Sequence, residues 1–114
     1  MPQIIVKGMT PEDVRLMSEN TLSEIARINE TPEEYYIFQH CTNTYFERGK
    51  ESAIYPLVEV VQFERSREQE KETAKYLCQY IHSLGYPTAE IYYVHLREQD
   101  YYEWTGTELK EYIS

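Results

Sequence analysis

Pro2, directly after Met1, is the residue of this chain with the sharpest chemical potential. Once Met1 is removed, Pro2 presents a secondary amine at the chain end. An α-amino group titrates near neutrality, at about 7.7–8.0 in peptides, and the ring amine of proline is intrinsically more basic. Burial in an apolar pocket or a nearby cation disfavours the protonated form and brings such a group toward the working pH, where a general base is most useful. A neutral Pro2 could then carry the proton of a keto–enol pair. While Met1 stays attached, the same nitrogen is an amide with no basic lone pair. Proline in second position normally permits methionine removal. The competing reading is that Pro2 is only a permissive residue ahead of a strand.

Arg65, just after an apolar run, offers a planar fork for bidentate, charge-assisted bonds to a substrate carboxylate or enolate oxygen. Its alternative is a solvated residue near a helix start, which is how Arg67 reads. Glu59 is a charge inside an apolar strand and must either meet a partner or point to a pocket. An ion pair across a subunit boundary is favoured over a catalytic role. His40 and His95 also fall in strands, and no local spacing supplies the further ligands that a metal needs. They read as structural. Cys41 and Cys78 lie far apart in apolar runs, without the spacing of a zinc site or disulfide framework, and are expected as buried free thiols. Cys41 has no motif that would make it a nucleophile. No cofactor and no metal are expected.

The surroundings of these residues limit the partners. With Asp+Glu at 20 against Lys+Arg at 11, the formal charge is −9, which repels nucleic acid and anionic membranes over most of the surface. A small anion needs only one or two basic groups, so a carboxylate substrate remains compatible. The hydrophobic share of 41% against 27% charged is that of a folded chain, and 114 residues suit one domain, read here as 1–114. The start MPQIIVKGMT lacks the long apolar stretch of a signal peptide, and no window approaches the ~18 apolar residues of a membrane span. A cytoplasmic location is expected. Twelve tyrosines are many for this length. Tyr92-Tyr93 and Tyr101-Tyr102-Glu103-Trp104 crowd the C-terminal region, and such rings suit core packing, subunit interfaces and half-wet pockets.

The elements that must position these groups come in two rounds. Ile4-Ile5-Val6, ended by Gly8, reads as a buried strand. Thr10 can cap a helix that Pro11 begins, with Glu12 and Asp13 at the positive end of its dipole. Val14, Met17, Thr21, Ile25 and Ile28 recur at helical spacing until the Asn29-to-Pro32 stretch. A second strand is expected from Tyr35, running as far as Phe46, then a polar loop from Glu47 to Ser52. The signals then return: Leu57 to Phe63 as a strand, Ser66-Arg67-Glu68-Gln69 as a capping box, and a helix on Ala74, Leu77, Cys78, Ile81 and Leu84 stopped by Gly85. Ala89 to Leu96 forms the fourth strand. Pro2 and Pro56 are 54 residues apart and Pro32 and Pro87 are 55 apart, which argues for a duplication with halves of about 1–54 and 55–114.

The expected fold class is therefore α+β: a tandem β-α-β duplication whose right-handed crossovers put both helices on one face of a four-stranded mixed sheet. The other face, bearing Ile, Val, Tyr and Phe, needs a cover, most simply other subunits.

A strand starting at Met-Pro and a duplicated β-α-β unit of this length resemble the tautomerase superfamily, typified by macrophage migration inhibitory factor and 4-oxalocrotonate tautomerase. The run Tyr55-Pro56-Leu57-Val58-Glu59-Val60, then Phe63 and Arg65, is similar to the Tyr-Pro-x-Val-Glu-Val-x-x-Phe-x-Arg pattern of an uncharacterised bacterial branch of it. Tyr101-Tyr102 with Gly106 resembles that branch's ending. The resemblance implies a homotrimer with a central barrel, helices outside, and an active site at each subunit boundary where Pro2 is the base. It also implies that Tyr93, on the fourth strand, donates to an enolate oxygen from the neighbouring subunit, packing being the alternative. Gln39 stands where the branch usually has Glu and Thr42 where it has Asn, so an acid role for that strand is not carried over and Gln39 is left as a substrate-binding candidate. Superfamily members include tautomerases, dehalogenases, decarboxylases and proteins without known activity. The implied function is keto–enol proton transfer on a small 2-oxo or enol carboxylate. The alternatives are a catalytically silent homotrimeric binding or interaction protein on the same scaffold, and a ferredoxin-like monomer with the same element order.

Overall fold

A computed structural model describes residues 2–112, so Met1 and any question about its removal lie outside the described residues. Strand β1 (Gln3–Lys7) leads into helix α1 (Pro11–Asn29), and β2 (Ile37–His40) follows after a short turn of 3₁₀ helix at Glu33–Tyr35. A hairpin of β3 (Tyr45–Glu47) and β4 (Lys50–Ser52) separates this half from β5 (Leu57–Phe63), α2 (Arg67–Ser83) and β6 (Glu90–Leu96). A second hairpin, β7 (Tyr102–Trp104) and β8 (Leu109–Glu111), closes the described chain. The main sheet has four strands in the order β2-β1-β5-β6. Within it β1 pairs parallel with β2, β5 parallel with β6, and β1 antiparallel with β5.

Both helices begin as their residues dictate. The Thr10 hydroxyl accepts from the Asp13 amide, with Pro11 at the first helical position and Glu12 and Asp13 in the first turn. At α2 the Ser66 and Gln69 side chains cap each other's backbone reciprocally. The core lies between the helices and one sheet face: Ile4 and Val6 of β1 and Val58 and Val60 of β5 meet Val14, Met17 and Ile25 of α1 and Leu77 and Ile81 of α2, all buried. The buried polar groups of the helices are hydrogen-bonded. The Thr21 hydroxyl donates to the Met17 carbonyl at 2.6 Å, and the Asn29 amide donates to the Ile25 carbonyl and to Thr73 Oγ1, joining the two helices.

Gly8 follows β1 with φ of +81°, and a Cβ there would lie 2.5 Å from the Tyr55 carbonyl oxygen. Glycine is required on both counts, because the chain entering β5 crosses against its backbone.

The alternating positions leave a second face free. Ile37, Tyr92 and Val94 are 53%, 41% and 41% exposed, while their strand neighbours Val58 and Val60 are buried under the helices. That face carries Ile5, Glu59 and Tyr92 in one paired row.

Three expectations need correction. Tyr35 belongs to the 3₁₀ turn, and β2 begins at Ile37 and ends at His40, far short of Phe46. Residues Glu47 to Ser52 are no simple loop: Arg48 and Gly49, with φ of 52° and 78°, form the turn of the β3–β4 hairpin. The thiols of Cys41 and Cys78 are free but half-buried, not buried, and burial pushes the Cys78 thiol up.

Candidate functional site

At the sheet end where β1 starts and β5 stops, a cleft of about 500 Å³ is lined by Pro2, Tyr35, Phe63, Arg65, Tyr101, Glu103 and Tyr112. The antiparallel pairing makes this meeting unavoidable. Gln3 pairs with Val61, so the residue before Gln3 and those just after Phe63 emerge together. Pro2 is buried, and its carbonyl accepts the Ile37 amide at 3.2 Å, which ties it to the start of β2.

Arg65 enters the cleft from the turn between β5 and α2. Its Nε is buried and has no hydrogen-bond partner among the described residues. A buried donor without an acceptor costs free energy.

The opposite wall is aromatic. Tyr101 meets Phe63 edge-on with ring centroids 5.0 Å apart and meets Tyr112 edge-on at 4.9 Å. The Tyr112 hydroxyl donates to the Glu103 carboxylate. That hydrogen bond, with burial and the neighbouring charge behind it, pushes Tyr112 up to about 12. Tyr112 therefore stays protonated at neutral pH and serves as a donor, not as a base.

Thus Pro2 and Arg65 share one cleft, and the other candidates lie elsewhere. Gln39 and Glu59 lie mid-strand on the uncovered sheet face, Gln39 exposed and Glu59 half-buried. Among the described residues Glu59 forms no ion pair within the chain. Tyr93 points the other way: its hydroxyl donates to the Glu70 carbonyl at 2.7 Å, under α2, and burial raises its ionisation above the ordinary phenol range. Within the chain its hydroxyl is thus engaged in packing against α2. The His40 ring bonds the Met9 carbonyl at 3.0 Å, and the His95 ring meets Glu70. No group of three or more His, Cys, Asp or Glu among the described residues could hold a metal ion. No helix among them is long and apolar enough to cross a membrane.

Sequence reasoning missed Tyr35, Glu103 and Tyr112 as cleft residues. The crowding of tyrosines near position 101 was the available signal. What it lacked was the β7–β8 pairing, which brings Tyr112 back over Tyr101.

The family model described as Domain of unknown function (DUF1904) matches residues 1–106. A DUF1904 domain from Sebaldella termitidis ATCC 33386 is 29% identical with a TM-score of 0.85, covering 90% of this chain and 95% of that one. The macrophage migration inhibitory factor-like protein of Entamoeba histolytica superposes with a TM-score of 0.65 at 9% identity, covering 88% of this chain and 92% of that one. Pt0534 inactivated by 2-oxo-3-pentynoate gives a TM-score of 0.69 at 12% identity, covering 92% and 93% respectively. The last two likenesses establish the fold: two helices on a mixed four-stranded sheet, shared with these proteins. No curated protein matches the sequence.

Proposed function

The chain belongs to the DUF1904 family, and we propose that it is a tautomerase-like enzyme moving the proton of a small 2-oxo or enol carboxylate. Pro2, freed of Met1, is the base and Arg65 the anion anchor. One observation carries the reading: these two residues, far apart in sequence, line one cleft in which the arginine has a buried, unpartnered Nε. In the enol-to-keto direction the neutral ring nitrogen takes the enol hydroxyl proton and the resulting secondary ammonium returns a proton to the adjacent carbon, so no proton is gained or lost overall. Arg65 holds the carboxylate meanwhile, which orients the reacting carbons toward Pro2. The low polarity of Pro2 and the three rings opposes an added positive charge on the nitrogen. Pt0534, which shares the fold, is inactivated by 2-oxo-3-pentynoate, itself a 2-oxo acid.

The test uses protein whose Met1-free state is established by mass spectrometry. Phenylpyruvate enol, followed by absorbance, is expected to ketonise faster than in buffer with saturable kinetics. No rate above buffer in Met1-free protein would sink the enzyme reading and leave the silent binding protein.

The proposal includes a homotrimer. Exposed Ile37, Tyr92 and Val94 on the sheet face opposite the helices support it, because that apolar surface is better buried against copies of itself. Sedimentation should give about three times the chain mass of 13.7 kDa. A species of single-chain mass at micromolar concentration would overturn the trimer.

A further inference from the structure

We propose that Glu70 is a positioning residue for the cleft, its carboxylate setting the aim of Arg65 from behind. The inference rests on the reading of Arg65 as anion anchor. Glu70 does not line the cleft, and its side chain is only 13% exposed. One oxygen, Oε2, accepts from three directions: the Gln62 amide at 3.0 Å, the His95 ring Nε2–H at 2.7 Å, and the Arg65 backbone N–H at 3.4 Å.

These donors belong to different parts of the site. Gln62 is next to Val61, the partner of Gln3, so the β1–β5 register sets Gln62 opposite Pro2. Arg65 lies in the turn beyond β5, and His95 is on β6. A single carboxylate on the first turns of α2 thus ties the helix to β5, which ends at the cleft, and to its neighbour β6. Glu70 is itself held at both backbone ends: its N–H donates to the Ser66 carbonyl at 3.0 Å and its carbonyl accepts the Tyr93 hydroxyl at 2.7 Å. An anchored acceptor of this kind fixes the backbone of Arg65 in a way that a surface carboxylate cannot. Near a helix start its negative charge is also well placed.

The distances imply that reach matters more than charge. Shortening the side chain in Glu70→Asp withdraws the oxygen from its three donors, whereas Glu70→Gln keeps an oxygen at full reach. With phenylpyruvate as the probe, folded E70D is expected to raise KM about tenfold while kcat stays within about twofold, the pattern of a misplaced anchor. E70Q should remain within about threefold on both. Hydrogen exchange supplies a readout independent of turnover: the Arg65 amide should lose protection in E70D and keep it in E70Q. An unchanged Arg65 amide in folded E70D, an unchanged KM there, or damage in E70Q equal to that in E70D overturns the proposal. If the wild type shows no turnover sensitive to Arg65→Ala, the functional reading has failed and the exchange measurement alone decides. If E70D does not fold, lost Arg65 protection in E70Q overturns the proposal and retained protection there supports it.

Discussion

Met1-free protein carrying Pro2→Ala is expected to ketonise phenylpyruvate enol about 10²–10⁴-fold more slowly than its parent, the range a positioned general base contributes. The substitution tests chemistry and leaves the scaffold in place. The residue 2 carbonyl still accepts the Ile37 amide, and β1 begins only at Gln3, so the strand pairing that delivers the nitrogen to the cleft survives. An alanine at the chain start keeps a primary amine with a lone pair. It lacks the ring that fixes φ and directs that lone pair, so the loss belongs toward the lower end of the range. A nitrogen still acylated by Met1 is an amide and has no basic pair to offer. Preparations containing known fractions of Met1-retaining chain should therefore lose rate in proportion to that fraction. A rate that ignores both the fraction and the substitution would mean that some other group moves the proton. Tyr112 would be a poor substitute, since its hydrogen bond to Glu103 keeps its proton in place.

Which of these features could be read in advance follows from how local each one is. The Ser66–Gln69 capping box and the Leu57–Phe63 strand are written in adjacent residues, and both appear at their expected positions. The meeting of Pro2 with Arg65 was legible one step further on, because an antiparallel β1–β5 pair must bring a strand start beside a strand end. The segment from Tyr35 to Phe46 failed for the converse reason. Its residues favour strands throughout, but β-propensity does not say where a chain leaves a sheet, and the positive φ at Arg48 and Gly49 turned the following stretch back on itself. Glu103 and Tyr112 depended on a hairpin that no pattern announced. Glu70 was harder still: in sequence it is one more acid at a helix start, and its three donors come from residues whose convergence only the tertiary structure supplies.

Arg65→Ala should raise KM for phenylpyruvate by about tenfold to a hundredfold, the loss of one or two charge-assisted hydrogen bonds to a carboxylate. Among the described residues the Arg65 Nε is buried without an acceptor, and under the proposed function a bound carboxylate would supply one. Binding then gains the new bond and removes an existing penalty, which places the effect above that of an exposed surface pair. Arg65→Lys should recover only part of the loss, because an ammonium is a point charge without the planar fork. Alanine alone cannot separate lost charge from lost packing, since the arginine stem also fills the cleft. The methyl ester of the same oxo acid separates them. Wild-type protein should prefer the acid to the ester, and R65A should prefer neither, so that the two changes together cost less than their sum. A preference for the acid that persists undiminished in R65A would mean that the anion is held elsewhere. Glu103 would not hold it: its carboxylate already accepts the Tyr112 hydroxyl on the far wall, and a second negative charge there is repelled. A cleft lined by one arginine, one carboxylate already engaged by Tyr112, and aromatic rings is expected to select substrates with a single acid group and an uncharged, flat remainder.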